Sequence, residues 1–411
     1  MKYSNDCAMK RGDNRLHAAG PTSRKQRLIP ILTLTATMLV GSNAVGAGEM
    51  FGEDGISIEL GSTFVGQQIS KKNGDITKDL VGSLDLVIDA DLGFGTLHLY
   101  GEGASTADIS ASSLVGGANA DAGTAATPAG KGRIQLSEIS FGFDVGALNS
   151  NIGVMDLTAF ADATATANDE GVQFLADALV NNPTIAFPDY TPAIVFNYGE
   201  EGGLQFTALS GNAYGLGDNP RGNYSQLFKF GNTPTGERKG LFSLAELRLP
   251  LSQNGSLLTV GGWLSTMEAA RYDGAGNDKS TLGGYVNIDG AVGDLAWSAR
   301  FGFNNGKTDI TGGVNSFASL STEYSINEQH AFGAGVAHSG LLNDYKTSLA
   351  PNSGANSTVA EIYYRWQITD EIAISPDIQY HHNANNLSTA TPADVYGSVW
   401  AYGLRIQLGM L

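Results

Sequence analysis

The sequence predicts an all-β chain, a transmembrane antiparallel β-barrel of about 16 strands with short turns at one end and long loops at the other. Three observations predict it. Beyond residue 47 the large apolar residues recur at every second position, as in a strand with two unlike faces. The connectors between these runs alternate short and long. No apolar run after residue 47 reaches the roughly 20 residues that a spanning helix needs.

The chain starts with a targeting segment. Arg24, Lys25 and Arg27 precede an apolar run over 28–40, and small residues lead to Val45-Gly46-Ala47. This is the charged, apolar, small-residue order of a secretory signal, with cleavage expected after Ala47. Residues 1–47 are therefore read as a cleaved signal peptide and 48–411 as a single barrel domain. The leader holds seven of the 24 basic and two of the 41 acidic residues, which leaves about −22 on the rest. That charge argues against nucleic acid as a partner. The single cysteine, Cys7, leaves with the signal, so no disulfide framework is expected.

The strands follow in order. Over 55–66, Ile56, Ile58, Leu60 and Phe64 oppose Ser57, Glu59 and Thr63. Over 80–92, Leu84, Leu86, Ile88 and Ala90 oppose Asp85, Asp89 and Asp91. Over 96–103, Leu97 and Leu99 oppose His98, Tyr100 and Glu102. The fourth run, 132–145, changes phase near Ser137. Ile134 and Leu136 match Ile139, Phe141 and Phe143 only if one residue bulges there. Runs over 149–156, 193–198, 204–209, 240–249, 257–267, 282–289 and 295–304 come next, then 316–325, 329–338, 358–367, 372–382 and 399–411. Long connectors are expected at 67–79, 104–131, 157–191, 211–239, 268–281, 305–315, 339–357 and 383–398, with seven short ones between them. Both chain ends then lie on the short-turn side.

Charges within the strands sit opposite the large apolar residues, which fits a lipid-facing exterior and a wet interior. Lipid satisfies no backbone group, so the sheet must close. Trp297, Trp366, Trp400 and Tyr402 fall near strand ends, as interfacial aromatics do. A soluble β-sandwich or β-solenoid would also alternate, but it gives no reason for the regular short and long connectors.

Near the C-terminus the chain reads Val359-Ala-Glu361-Ile-Tyr-Tyr-Arg365-Trp-Gln367-Ile-Thr, then Ile374-Ser-Pro376-Asp377-Ile-Gln379-Tyr380, then Gly403-Leu-Arg405-Ile-Gln407. Upstream are Arg133-Ile-Gln-Leu136-Ser-Glu138 and Asn151-Ile-Gly153-Val. These segments resemble the closing strands, and the hairpin before the third external loop, of the carbohydrate-selective porin family (OprB-like). The motif resemblance spans about 60 residues, while the layout extends over most of the chain. Family members commonly end in an aromatic residue, whereas this chain ends Met410-Leu411, and its third loop departs from the family pattern. The resemblance implies a Gram-negative outer-membrane porin for passive diffusion of small hydrophilic solutes, with carbohydrates foremost.

A barrel of this size is too wide for side chains to fill, so selectivity falls to its narrowest level. The third external loop, 157–191, is the longest and is expected to fold inward, with a helix-like piece over 171–179. Its Asp162, Asp169, Glu170 and Asp177 are expected to line one side of the constriction. Arg133, Arg248, Arg300, Arg365 and Arg405 are expected on the wall opposite, with Tyr100, Tyr285 and Tyr363 placed to stack on sugar rings. Arginine offers hydroxyl-bearing solutes a fixed fork of donors. No cofactor and no metal site are expected. His381 and His382 are adjacent and point to opposite faces, and Asp273-Gly-Ala-Gly-Asn-Asp278 is a single copy of a calcium-repeat-like pattern. No G-x-S-x-G elbow, P-loop or H-E-x-x-H motif is present, so no enzyme is expected. The expected partners are outer-membrane lipid and lipopolysaccharide, sugars and ions, and further copies of the chain in a homotrimer. The alternatives are a general, weakly cation-selective porin, a barrel adhesin or structural outer-membrane protein, and a barrel-borne hydrolase.

Overall fold

A computed structural model describes residues 55–70, 76–105, 115, 117–120, 132–199, 203–216, 224, 227, 228, 240–252, 255–348, 356–383 and 398–409. The expected signal peptide, 1–47, lies outside the described residues. The first half of the barrel comprises β1 (Ile56–Ser70), β2 (Ile76–Asp91), β3 (Thr96–Ala104), β4 (Arg133–Val145), β5 (Leu148–Met155), β6 (Thr191–Tyr198), β7 (Gln205–Asn212), β8 (Leu241–Pro250) and β9 (Leu257–Ser265). A two-stranded hairpin, β10 (Ala269–Ala270) with β11 (Asn277–Asp278), stands apart inside the next connector. The rest comprises β12 (Thr281–Val292), β13 (Leu295–Asn304), β14 (Val314–Asn327), β15 (His330–Leu341), β16 (Ser357–Thr369), β17 (Ile372–His382) and β18 (Ser398–Leu408).

Every strand pairs antiparallel with its neighbours, and β1 pairs with β18 from Ser62↔Leu408 to Ile69↔Ala401, which closes the barrel at 16 strands. No strand edge is left to be satisfied by lipid. Phe64, Leu84, Leu86, Phe301, Phe303, Ile362, Trp400 and Leu404 are exposed on the outer surface, while Asp85, Glu102, Glu246, Arg300, Glu361 and Arg405 are buried on the inner one. The alternation legible in the sequence is therefore the alternation of barrel faces. The expected phase change is also present. Tyr100 faces Glu138 and Gly101 faces Leu136, which leaves Ser137 as the extra residue of a bulge.

Two features depart from the expectation. The connector expected at 67–79 is mostly strand, because β1 and β2 pair continuously from Ile56↔Ala90 to Ser70↔Ile76 and leave only 71–75 between them. Gln67 and Ile69 still point inward and are buried, so the polar run extends the ladder instead of ending it. The hairpin β10–β11 has only four residues in its strands and no run of alternation that would announce it.

The buried apolar packing lies inside the barrel. Leu157, Phe160, Ala161 and Ile185 of the third loop, with Met155 at the end of β5, pack on Phe242, Leu244, Trp263 and Tyr285 of the wall. Farther along the loop, Phe174, Leu179 and Val180 pack on Phe317, Ala337, Val359 and Tyr363. The loop thus stands on two apolar feet at separate places on the wall.

Candidate functional site: the constriction loop

Between β5 and β6 the chain enters the barrel through a short 3-10 turn, Leu157–Ala159, capped by the Asp156 carboxylate on Thr158 N at 2.9 Å. It reverses at Asp162, whose φ of 61° is a left-handed conformation that aspartate tolerates better than most residues. Three strands hold this reversal. Glu246 of β8 accepts from Asp162 N at 2.7 Å, and Asn287 of β12 donates to Asp162 Oδ1 at 3.0 Å. Arg300 of β13 donates to Asp162 O at 3.0 Å, with its Nε 3.6 Å from Asp162 Oδ2.

Arg300 anchors more than this turn. It also donates to Leu179 O at 3.3 Å, Val180 O at 3.0 Å, Thr164 Oγ1 at 3.1 Å and Ala167 O at 3.1 Å. One guanidinium therefore gathers both limbs of the loop. Between those limbs the chain runs along the wall from β13 to β18, next to the strand that closes the barrel. Asp289 accepts from Ala165 N at 2.9 Å, Thr166 bonds to Ser298 and Ser321, and Arg405 of β18 donates to Glu170 O at 2.6 Å. Helix α1 (Asp177–Val180) is shorter than the helix-like piece expected over 171–179. The N–H groups of Leu175 and Ala176 just before it are caught by the two Glu361 oxygens at 2.8 and 2.7 Å. A helix start leaves such donors unpaired, and a carboxylate is their natural acceptor.

A second external loop joins the third inside the barrel, which the sequence reading does not foresee. Gly117 O accepts from Asp177 N at 2.8 Å, Ala120 N donates to Leu175 O at 2.8 Å, and Ala118 O accepts from Gln67 at 2.8 Å and Gln379 at 2.9 Å. The inward glutamines on β1 and β17 were its only signal.

The four loop carboxylates occupy different settings. Asp162 is buried and paired with Arg300. Glu170 is buried, with its carbonyl on Arg405. Asp169 is half-buried and accepts from Gly171 N at 2.7 Å and Val172 N at 3.2 Å. Its surroundings hold the carboxyl above the usual aspartate range, first by desolvation and then through the neighbouring Glu170 charge; the Gly171 N–H and Arg405 oppose the shift. Asp177 is half-buried and accepts from Asn181 Nδ2 at 2.7 Å.

The wall residues are also distributed unevenly. Arg300 and Arg405 touch the loop and bind its carbonyls directly, in place of the expected position across the channel. Arg248 turns to Glu246 at 2.7 Å, and Arg365 stands 4.0 Å from Glu323. The Arg133 side chain lies outside the described residues. Tyr100, Tyr285 and Tyr363 are almost fully buried, each with its hydroxyl on a carboxylate: Asp85 at 2.6 Å, Glu246 at 2.6 Å, and Glu323.

Two of these tyrosines form a repeated strap. Tyr285, Gly261 and Glu246 lie in one row across β12, β9 and β8, and Tyr363, Gly333 and Glu323 lie in one row across β16, β15 and β14. A Cβ on Gly261 would lie 2.1 Å from Tyr285, and one on Gly333 would lie 2.1 Å from Tyr363. Each ring therefore lies across a bare glycine to reach its glutamate. The edge of Phe174 meets the Tyr363 ring at a centroid distance of 5.0 Å and an angle of 87°. The rings brace the wall beneath the loop.

In the external hairpin loop, Arg271 donates to Asp273 and bonds to Asp278 at 3.3 Å, and Asp273 is held below the usual aspartate range by Arg271 and by Ala275 N. A guanidinium sits among the acids of the calcium-repeat-like stretch. Among the described residues no group of three or more potential metal-ligating side chains converges.

Comparison with known proteins extends this geometry. A model of the carbohydrate-selective porin, OprB family, matches residues 84–399. The high-pH structure of Pseudomonas putida OprB superposes with a TM-score of 0.64 at 16% identity, covering 87% of this chain and 94% of that one. The outer-membrane channel DcaP of Acinetobacter baumannii gives 0.52 at 10% identity, covering 88% and 100%. Salmonella typhi OmpF in complex with daunomycin gives 0.51 at 10%, covering 87% and 99%. These three likenesses are of fold. An uncharacterized protein of Aquifex aeolicus is 41% identical over 66 residues, which are 16% of this chain and 21% of that protein's length.

Proposed function

Because the chain belongs to the OprB family of carbohydrate-selective porins, we propose that it is a passive outer-membrane channel for small neutral carbohydrates, driven by their gradient and without catalysis. The observation that carries this is the third loop, fastened across the barrel interior from Arg300 on β13 to Arg405 on β18. A loop held at both ends narrows a wide barrel to a fixed, polar passage, and width with lining charge is what a porin selects by. In this reading Asp169 and Asp177, the half-buried acids, carry the loop's charge toward the passage. Asp162 and Glu170 position the loop. Arg248 and Arg365 belong to the wet wall, and the tyrosines support it without stacking on solute.

Purified protein in liposomes tests the reading. Swelling should be fast with pentoses and hexoses, slower with disaccharides, and slower for acidic sugars than for neutral ones of equal size. Faster passage of cationic solutes than of neutral sugars of equal size would favour the general, weakly cation-selective porin, which the acidic composition also suits, and no size-dependent swelling would refute a channel altogether. N-terminal sequencing of the membrane-inserted protein should start at Gly48, and cross-linking in detergent should show whether three copies associate.

A further inference from the structure

Among the described residues, the outer face of the barrel carries bases at its loop end in one sector only. On β15, β16, β17 and β18 the outward residues His338, Thr358, His382 and Ser398 form one continuous row of cross-strand pairs. Farther round, Lys78 of β2 is exposed and pairs with Gln68 of β1, which pairs in turn with Tyr402 of β18. The outward positions of these six strands hold no Asp or Glu. Elsewhere on the wall the matching positions include Ile134, Leu241, Leu264, Leu282 and Phe303, none of them charged. The row lies just beyond an aromatic belt. Tyr380 and Trp400, the next outward residues toward the membrane centre, meet at 4.9 Å and 52°, and Trp400 and Tyr402 are each 46% exposed. Such residues sit at headgroup level, so the row meets the headgroups of the external leaflet.

Hydrogen bonding within the row spends most of its acceptors and leaves donors. Lys346, in helix α2 (Asn343–Ser348), donates to Asn356 Oδ1 at 3.3 Å, and Asn356 Nδ2 donates to His338 Nε2 at 3.4 Å. The other ring nitrogen, Nδ1, then donates to Thr358 Oγ1 at 2.8 Å, and Thr358 keeps its own proton for a further acceptor. In a second chain Tyr380 donates to Ser398 Oγ at 2.7 Å, and Ser398 donates to His382 Nδ1 at 3.1 Å. That fixes the remaining His382 proton on Nε2 of an exposed ring.

The chemistry selects a partner that accepts hydrogen bonds and carries negative charge. A sugar hydroxyl brings a proton as well as lone pairs, whereas a phosphate brings acceptors alone and strengthens each bond by its charge. Basic clusters at headgroup depth are how membrane proteins hold phosphorylated lipids. The long-loop side faces the external leaflet, whose phosphorylated lipid in a Gram-negative outer membrane is lipopolysaccharide. We propose that the sector from β15 to β2 is a docking face for the phosphates of this glycolipid, with His382, Thr358, Lys78 and Lys346 donating to phosphate oxygens. The face lies outside the barrel, so it stands or falls apart from the channel reading above.

Native mass spectrometry of the purified protein in detergent tests it, with diphosphoryl lipid A, the same lipid stripped of phosphate, and phosphatidylglycerol as probes. Diphosphoryl lipid A should bind saturably, and the stripped form about tenfold more weakly or worse, as loss of charged hydrogen bonds implies. Lys78→Gln and Lys346→Gln should each weaken binding about fivefold, the usual worth of one basic residue at a lipid surface. His382→Leu should weaken it several-fold, and Lys279→Gln, in the connector before β12, should change nothing. All these side chains lie at the surface, so heat-modifiable mobility on gels should mark each variant as folded. Equal binding of the two lipid A forms would overturn the proposal. Equal binding of phosphatidylglycerol would overturn the glycolipid as partner, and displacement by millimolar inorganic phosphate would overturn a lipid partner altogether. Unchanged affinity in the three sector variants, or an equal loss in Lys279→Gln, would overturn the face itself.

Discussion

Arg300→Met should release the constriction loop while sparing the barrel. The wild-type side chain, with 1% of its surface exposed, makes five hydrogen bonds to the loop and stands 3.6 Å from the Asp162 carboxylate. Methionine fills a similar volume but donates nothing to those acceptors, and leaves the buried Asp162 charge with its Asn287 donor and without its cation. Removing one partner of a buried pair typically costs about 3–5 kcal/mol. The loop regains water when it lifts from the wall, so that cost falls on its closed state and shifts the closed-to-open ratio by roughly two to four decades. The ladder of 16 strands is untouched, so the heat-modifiable mobility of the folded barrel on gels should persist. Single-channel records should show larger mean conductance with frequent flicker, and limited proteolysis should cut between residues 160 and 180. Arg300→Met with Asp162→Asn should recover part of the loss, since the stranded charge is then gone. Wild-type conductance, noise and protease resistance in Arg300→Met would refute the anchoring role.

Other outcomes follow from the same geometry. Asp169 is held above the ordinary aspartate range by desolvation and Glu170, so it takes up its proton at a higher pH than an exposed aspartate. Cation preference, read as reversal potential in a salt gradient, should therefore begin to fall above the usual aspartate range as pH is lowered, and Asp169→Asn should remove that step. Gly261→Val puts a side chain where the Tyr285 ring lies and should destabilise the barrel by about 1–3 kcal/mol in urea titrations, the usual cost of overpacking. Gly262→Val should be nearly silent, because a Cβ there meets nothing closer than 3.8 Å. Deleting Ser137 removes the bulge without reversing any outward residue, so the barrel should still insert. Deleting Ser140 turns Ile139 inward and Glu138 toward lipid, and should abolish insertion.

The barrel was legible in the sequence because each strand must satisfy two solvents at once. The alternation of Leu84, Leu86 and Ile88 with Asp85 and Asp89 has no simpler cause, and even the Ser137 bulge is written in a phase change. The site was legible only in outline. The third loop's length and its phenylalanines announced an inward fold, and Phe160, Phe174 and Phe187 do pack inside. Pairings across the lumen join residues more than a hundred positions apart, such as Arg300 with Asp162 or Glu361 with Leu175. No periodicity records such a pairing, so arginines expected to face the loop from across the channel hold it instead. The entry of the second loop depends on Gln67 and Gln379 meeting one carbonyl, which only the closed barrel brings about.

The two tyrosine straps bear on how the barrel keeps its dimensions. Backbone ladders alone are indifferent to sliding by two residues, since the same faces and the same hydrogen bonds return. A tyrosine that must cross a bare glycine and meet a glutamate is not indifferent, because a slip of one strand puts a side chain under the ring and takes the acid out of reach. The rows Tyr285–Gly261–Glu246 and Tyr363–Gly333–Glu323 thus act as alignment marks on two separate triplets of strands. They tie the stagger of the sheet, and with it the tilt and diameter of the tube, to two polar contacts buried on the inner wall.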